Sequence, residues 1–141
     1  MTRTVPEIAA LVREGMSSLD AAPFAGHLAA DVVFEMPFSG LRIEGREAVV
    51  ATLTDGGVRA RAAGLTHAEV TTTLTDSGFV VELVVSGPAV KFASSVGILT
   101  VSDGEITSYR DYPNVPGAAA AMGFSDTEAL VVKSGAPENA E

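Results

Sequence analysis

Four segments rich in β-branched residues follow one another after Gly64, and they constrain the fold more than any other part of the sequence. They are, in chain order, residues 66–75, 79–86, 91–101 and a last segment that ends at about Tyr112. Turn-forming residues separate them, at Asp76-Ser77-Gly78, Gly87-Pro88 and Ser102-Asp103-Gly104. Because such short turns join neighbouring strands in opposite directions, the pattern predicts a four-stranded antiparallel meander.

Helical signals dominate the part of the chain before the meander. Apolar residues close to helical spacing, with Pro6 near the first turn, predict a helix over residues 5–20. A short helix is predicted over residues 24–30 and a strand over residues 31–36. A third helix is predicted from Gly45 through about Leu53 or further; Gly56-Gly57 is expected to break it, with room for another helical turn over residues 59–63. A short last helix is predicted over residues 118–122.

Helices that are segregated from an antiparallel sheet are typical of the α+β class. We therefore predict a curved antiparallel sheet wrapped around helices, with a cone-shaped pocket of the kind that holds apolar ligands. We expect one domain over residues 1–124 and a partly disordered tail over residues 125–141, which is polar at its end.

The composition excludes several classes of function. A net charge of −9 argues against nucleic-acid binding and disfavours anionic membrane surfaces. The sequence has no cysteine, and its two histidines, His27 and His67, have no partner at metal-ligand spacing, so we expect neither a metal site nor a cofactor. No run of residues resembles a signal peptide or a membrane span, and a cytoplasmic protein is the expectation.

The end of the last predicted strand carries the most informative polar residues. Side chains alternate between the two faces of a strand, so Tyr109 and Asp111 share one face while Arg110 and Tyr112 share the other. If Asp111 faces the apolar pocket, burial disfavours its charged form. That environment suits a carboxylate to general acid work, or to base work near neutral pH.

Three stretches resemble a known superfamily. They are Ala30-Asp31-Val32-Val33-Phe34-Glu35-Met36-Pro37, Gly45-Arg46-Glu47-Ala48-Val49-Val50, and Asp103-Gly104-Glu105-Ile106 leading to Tyr109-Arg110-Asp111-Tyr112. Over residues 5–124 the chain resembles the nuclear transport factor 2-like superfamily. Within it, the chain is most similar to the SnoaL-like cyclases, limonene epoxide hydrolases and ketosteroid isomerases.

The resemblance implies roles for particular residues. Asp111 matches the catalytic aspartate of the cyclases and epoxide hydrolases, and Tyr109 matches an aromatic residue that lines the pocket. The resemblance would also place Phe34, Met36 and Phe38 at the pocket wall. By analogy with the superfamily, we expect a homodimer formed through the outer side of the sheet.

Other positions depart from the family patterns. The epoxide hydrolases carry an arginine and a second aspartate where this chain has Val84 and Ser86, and the ketosteroid isomerases carry their base where it has Met36. Glu82, on the same strand face as Val84, is a candidate second catalytic carboxylate.

Glu35 is a candidate for substrate binding. Alternation turns its side chain to the opposite face of the strand from Phe34 and Met36, unless a bulge before Pro37 reverses the pattern.

Three functions remain open from the sequence. The first is a cofactor-independent acid–base enzyme of the cyclase or isomerase type, acting on a hydrophobic small molecule, with Asp111 and Glu82 as catalytic residues and Tyr109, Glu35, Phe34, Met36, Phe38 and Val84 in contact with the substrate. The second is an epoxide hydrolase with a modified water site. The third is a binding module without catalytic activity.

Overall fold

The structure is a computed structural model that describes residues 2–122. The elements are α1 (Val5–Ser17), α2 (Ala22–Ala25), β1 (Leu28–Met36), β2 (Leu41–Glu44), α3 (Arg46–Ala62), β3 (His67–Leu74), β4 (Gly78–Ser86), β5 (Lys91–Ser102), β6 (Glu105–Pro113) and α4 (Val115–Met122). The predicted tail, residues 125–141, lies outside the described residues. No helix within residues 2–122 has the length and apolar character needed to cross a membrane.

The sheet has six strands in the order β2-β1-β6-β5-β4-β3. Strands β3 to β6 pair with one another in antiparallel fashion, as the meander prediction requires. Strand β1 pairs in parallel with β6 and in antiparallel fashion with β2, which extends the sheet beyond the meander. The sheet is curved and unclosed, and the predicted α+β class is confirmed.

Helix α1 begins at a capping box. The backbone N–H of Glu7 donates to Oγ1 of Thr4 at 3.3 Å, and the backbone N–H of Thr4 donates to Oε1 of Glu7 at 2.8 Å. These two bonds satisfy donors that the first helical turn would otherwise leave without a partner. Its buried residues Ile8, Val12 and Met16 recur every four positions, so they form one apolar stripe that packs against the sheet.

The segment after α2 is a strand where a helix was predicted. Residues 28–30 belong to β1, because Leu28 pairs with Ile106 of β6 and the backbone N–H of Ile106 donates to the carbonyl of His27 at 2.8 Å. The guanidinium of Arg46 donates to the carbonyl of Leu28 at 2.8 Å and fixes the same end of β1. Pairing with a distant strand has overridden the local helical signal.

Helix α3 does not end at Gly56-Gly57, contrary to the prediction, but continues to Ala62. A side chain at Gly57 would overlap the carbonyl oxygen of Leu19, whereas Gly56 has open space around it. The guanidinium of Arg61 donates to the same carbonyl of Leu19 at 2.6 Å. The absence of a side chain at Gly57 lets α3 lie close to the loop after α1, so this glycine serves packing and not termination.

Candidate functional site

A cavity of about 520 Å³ lies between the concave face of the sheet and the helices. Most of its wall is apolar and includes Phe24, Phe34, Met36 and Phe92. Its polar lining residues come from the connection between α1 and α2, from helix α3 and from strands β5 and β6. They are Asp20, Thr52, Asp55, Arg59, Ser94, Ser95, Tyr109 and Asp111. A volume of this size and a mainly apolar wall with few polar groups are typical of small-molecule sites.

Asp111 lies on the concave face of β6, where the predicted alternation placed it with Tyr109. It is opposite Gly97 of β5 in the strand register, and its residue is only 9% exposed. Tyr109 is opposite Leu99 and is 5% exposed. Two adjacent inward positions of one strand therefore bring a carboxylate and a phenol to the same wall of the cavity.

Gly97 makes room for the ring of Tyr109. A Cβ atom at Gly97 would lie 3.0 Å from Cε1 of Tyr109 and 3.0 Å from Cγ2 of Val81, closer than an ordinary carbon–carbon contact. On its other side the Tyr109 ring meets Phe34 edge to face, with ring centroids 5.1 Å apart and planes at 81°. These contacts hold the ring in place beside Asp111.

The phenol of Tyr109 is held in its neutral form. Burial, and then the negative charge of Asp111, raise the pKa of Tyr109 well above its usual value of about 10. Within residues 2–122 its hydroxyl makes no hydrogen bond, and the residue lines the cavity. A buried tyrosine hydroxyl usually has such a partner, so this one is available to a ligand in the cavity.

Phe34 and Met36 line the cavity, as the resemblance implied, whereas Phe38 does not. Phe38 is 83% exposed, and its ring packs against Tyr112 at a centroid distance of 5.1 Å. It follows Pro37, in the turn between β1 and β2, and therefore lies beyond the alternation that turns Phe34 and Met36 inward. The predicted position of Phe38 at the pocket wall is wrong.

Glu82 and Val84 share a strand face, as predicted, but it is the face turned away from the cavity. They lie on the convex side of the sheet with Val80, Val96 and Tyr112, a surface that we call the outer face. Leu83 and Val85 of the same strand take the inward positions. Sequence alternation identified which residues share a side, but helix packing decided which side is buried.

Glu35 also lies outside the cavity wall. Its carboxylate accepts a hydrogen bond from the guanidinium of Arg42 at 2.9 Å, and Arg42 also binds Glu44 at 2.8 Å. Because no bulge precedes Pro37, Phe34 and Met36 stay inward and Glu35 stays on the opposite side. Among the predicted residues, Asp111, Tyr109, Phe34 and Met36 are therefore brought together, while Glu82, Val84, Glu35 and Phe38 are not.

The sequence prediction missed two polar groups of the cavity. Ser94 and Ser95 enter it from β5, where the strand register shifts. Near the mouth, Nε of Arg59 lies 2.9 Å from a carboxylate oxygen of Asp55, one helical turn earlier in α3. Two consecutive serines inside an apolar strand were the only sequence signal for the first group, and Arg59 appeared to lie beyond the predicted end of its helix.

The described residues do not bring three or more histidine, cysteine or acidic side chains together in an arrangement that could hold a metal ion. We therefore assign no metal-ligating role to any residue within 2–122.

Solved structures share this architecture. A nuclear transport factor 2-like protein of unknown function from Burkholderia xenovorans is 19% identical, with a TM-score of 0.60 over 77% of this chain and 81% of its own. A hypothetical protein from Catenulispora acidiphila with a ketosteroid isomerase-like fold, in complex with trimethylamine, is 21% identical, with a TM-score of 0.63 over 88% and 98%.

The chain has the nuclear transport factor 2-like fold. A proposed SnoaL-like polyketide cyclase from Shewanella denitrificans shares this fold at 14% identity, with a TM-score of 0.62 over 84% of this chain and 96% of its own. No protein-family model matches the sequence, and no curated protein matches it at a significant level. At these identities the structural likeness shows the fold alone, and the chemistry depends on the residues that line the cavity.

Proposed function

We propose that this protein is an acid–base enzyme of the SnoaL-like cyclase or isomerase type that acts on a hydrophobic carbonyl compound with its own side chains as the reacting groups. One observation supports this most strongly. Asp111 and Tyr109 lie together, each at least nine-tenths buried, in the wall of a largely apolar cavity. Strongly desolvated polar groups in such a cavity are typical of sites for proton transfer.

The proposed reaction begins when the carboxylate of Asp111 accepts a proton from the carbon beside the substrate carbonyl. The electron pair of that C–H bond moves toward the carbonyl, and negative charge develops on its oxygen. The neutral phenol of Tyr109 donates a hydrogen bond to this oxygen and so stabilises the enolate. In an isomerase the substrate carries a C=C bond next to that carbon, so the enolate is a dienolate, and Asp111 returns the proton to its far carbon while the C=C bond shifts into conjugation with the carbonyl. In a cyclase the enolate carbon attacks a second carbonyl of the same molecule, and the proton goes to the new alkoxide.

Among residues 2–122, Asp111 is the only buried carboxylate that lines the cavity, and one such group suits isomerisation or cyclisation better than epoxide hydrolysis. A hydrolase of this fold needs a second carboxylate and an arginine to orient water, yet Val84 and Ser86 occupy those positions, and the side chain of Val84 lies on the outer face. Glu82 and Glu35 are outside the cavity as well, so neither can replace the second carboxylate. Asp20 and Asp55 also line the cavity, but both are exposed, and Asp55 is paired with Arg59.

Exchange of carbon-bound hydrogen tests the proposal without knowledge of the natural substrate. A panel of hydrophobic ketones, such as 2-tetralone and cyclic enones, is incubated with the protein in D₂O, and deuterium uptake beside the carbonyl is followed by mass spectrometry. We expect wild type to accelerate uptake and Asp111→Asn to lose about 10²–10⁴ of that acceleration. The matched control is Glu82→Gln, which changes an exposed carboxylate on the outer face and should retain the wild-type rate.

The outcome also separates the competing functions. If Asp111→Asn exchanges within a few-fold of wild type while its fold is intact, Asp111 is not the proton acceptor. If wild type opens limonene or styrene epoxides to diols that contain solvent oxygen, and exchanges no ketone, the protein is a hydrolase. If it binds both kinds of compound and transforms neither, the protein is a binding module.

A further inference from the structure

Strand β5 carries a bulge at Ser94. In the register with β4, Leu83 is opposite Ser95 and Val84 is opposite Ala93, so Ser94 is an extra residue without a partner in the ladder. The extra residue reverses the alternation in the first part of β5. Phe92 therefore lines the cavity while Ala93 is exposed, and Ser94 is turned into the cavity.

Asn114 holds the bulge in this form. Its backbone N–H donates to the carbonyl of Ser94 at 2.8 Å, and its side-chain Nδ2 donates to the carbonyl of Ala93 at 2.8 Å. Its Oδ1 accepts a hydrogen bond from the backbone N–H of Gly117 at 3.0 Å, in the first turn of α4. Asn114, which follows the end of β6, therefore fixes the conformation of residues 93–94.

The hydroxyl of Ser94 is buried but has no protein partner. Its residue is only 8% exposed and lines the cavity, and within residues 2–122 its oxygen makes no hydrogen bond. Because buried hydroxyl groups are nearly always hydrogen-bonded, the partner of Ser94 has to come from the contents of the cavity.

We propose that Ser94 hydrogen-bonds the oxygen-bearing end of the ligand and selects oxygenated molecules over hydrocarbons of the same shape. The serine joins Tyr109 as a second buried hydroxyl in the wall of a mainly apolar cavity. Hydrogen-bonding groups of this kind fix orientation and specificity, while the apolar wall supplies most of the binding energy. This inference rests on the proposed function for the location of the ligand, but it requires no turnover.

Two probes of nearly the same shape test it. Naphthalene and 2-naphthol differ by one hydroxyl group, and the binding of each is measured by its fluorescence with wild type and Ser94→Ala. We expect wild type to prefer 2-naphthol, and Ser94→Ala to bind 2-naphthol about five- to tenfold more weakly, which is the usual effect of one lost hydrogen bond. Its affinity for naphthalene should stay within about twofold of wild type, which also reports that the cavity is intact.

The matched control is Ser102→Ala, which removes the same hydroxyl from the exposed end of β5 and should change neither affinity. Three results would overturn the inference. They are a wild type that binds both probes equally, a Ser94→Ala variant that retains the preference for 2-naphthol, and a variant that loses affinity for both probes alike. Because these are binding equilibria, Asp111→Asn can fail its exchange test while Ser94 passes, and the reverse also holds.

Discussion

Gly56 and Gly57 are neighbours in α3, yet we expect opposite effects when each is replaced by alanine. Gly56 is exposed, and a Cβ atom there would meet nothing within 4 Å. In a helix interior, glycine is about 1 kcal/mol less favourable than alanine. Because α3 is continuous through this position, Gly56→Ala should stabilise the protein by about that amount, or raise the melting temperature by about 3–5 °C for a domain of this size.

Gly57→Ala gains the same helical propensity but adds a clash. Its Cβ atom would overlap the carbonyl oxygen of Leu19, which is backbone and cannot rotate away. Leu19 is further constrained by its left-handed backbone, with φ of 56°, and by the hydrogen bond from Arg61 at 2.6 Å. Overpacking at such a site typically costs about 1–3 kcal/mol, so Gly57→Ala should be less stable than Gly56→Ala by about that amount.

Thermal and urea unfolding of the two variants, followed by circular dichroism beside wild type, measure this difference. The two substitutions share residue type and helix, so their propensity contributions cancel in the comparison. If both variants unfold at the same temperature, then α3 does not lie against Leu19 as described. If both are less stable than wild type by a similar amount, the glycine pair interrupts the helix as the sequence alone suggested.

Four further predictions address other parts of the molecule. Thr72→Val should stabilise the protein by about 1 kcal/mol in urea unfolding, because it removes a buried hydroxyl without a partner. Thr71→Val on the outer face should not stabilise it, and a Thr72→Val variant less stable than wild type would contradict the prediction. Asn114→Ala should lower the free energy of unfolding by about 1–3 kcal/mol, because two side-chain hydrogen bonds are lost. It should also weaken the preference for 2-naphthol over naphthalene, and an unchanged preference would show that Asn114 does not position the bulge. Above about pH 10 an unfolded tyrosine loses its proton while Tyr109 in the folded protein keeps it, so the free energy of unfolding should fall as pH rises. In the Tyr109→Phe variant this free energy should fall less steeply with pH, and equal slopes for the two proteins would refute the raised pKa. We propose that two copies pair through the outer face, so light scattering at micromolar concentration should give twice the chain mass. Val96→Lys places a charge on this face and should lower the measured mass, whereas a monomeric mass for wild type would count against the dimer.

Local signals were reliable where the nearest neighbours decide the structure. The β-branched segments and the turns between them predicted the meander, because strand formation and tight turns depend on a few adjacent residues. The same signals failed at residues 28–30, which join β1 through a parallel pairing with β6, a contact across nearly 80 positions of sequence. They failed again at Gly57, whose packing role depends on Leu19.

The same distinction between local and distant contacts applies to the candidate site. Alternation placed Asp111 with Tyr109, and Glu82 with Val84, because strand period is a local property. It did not determine that the first pair faces the cavity and the second the outer face, and it gave no sign that the bulge turns Ser94 and Phe92 inward.

The sequence by itself therefore determined the α+β class, the meander and the pairing of Asp111 with Tyr109 on one side of a strand. Only the tertiary structure decided which side is buried, where α3 ends and which residues share the cavity with Asp111. The physical reason is that periodicity follows from covalent geometry and nearest neighbours. Burial, in contrast, depends on which distant surfaces of the chain lose water when they meet.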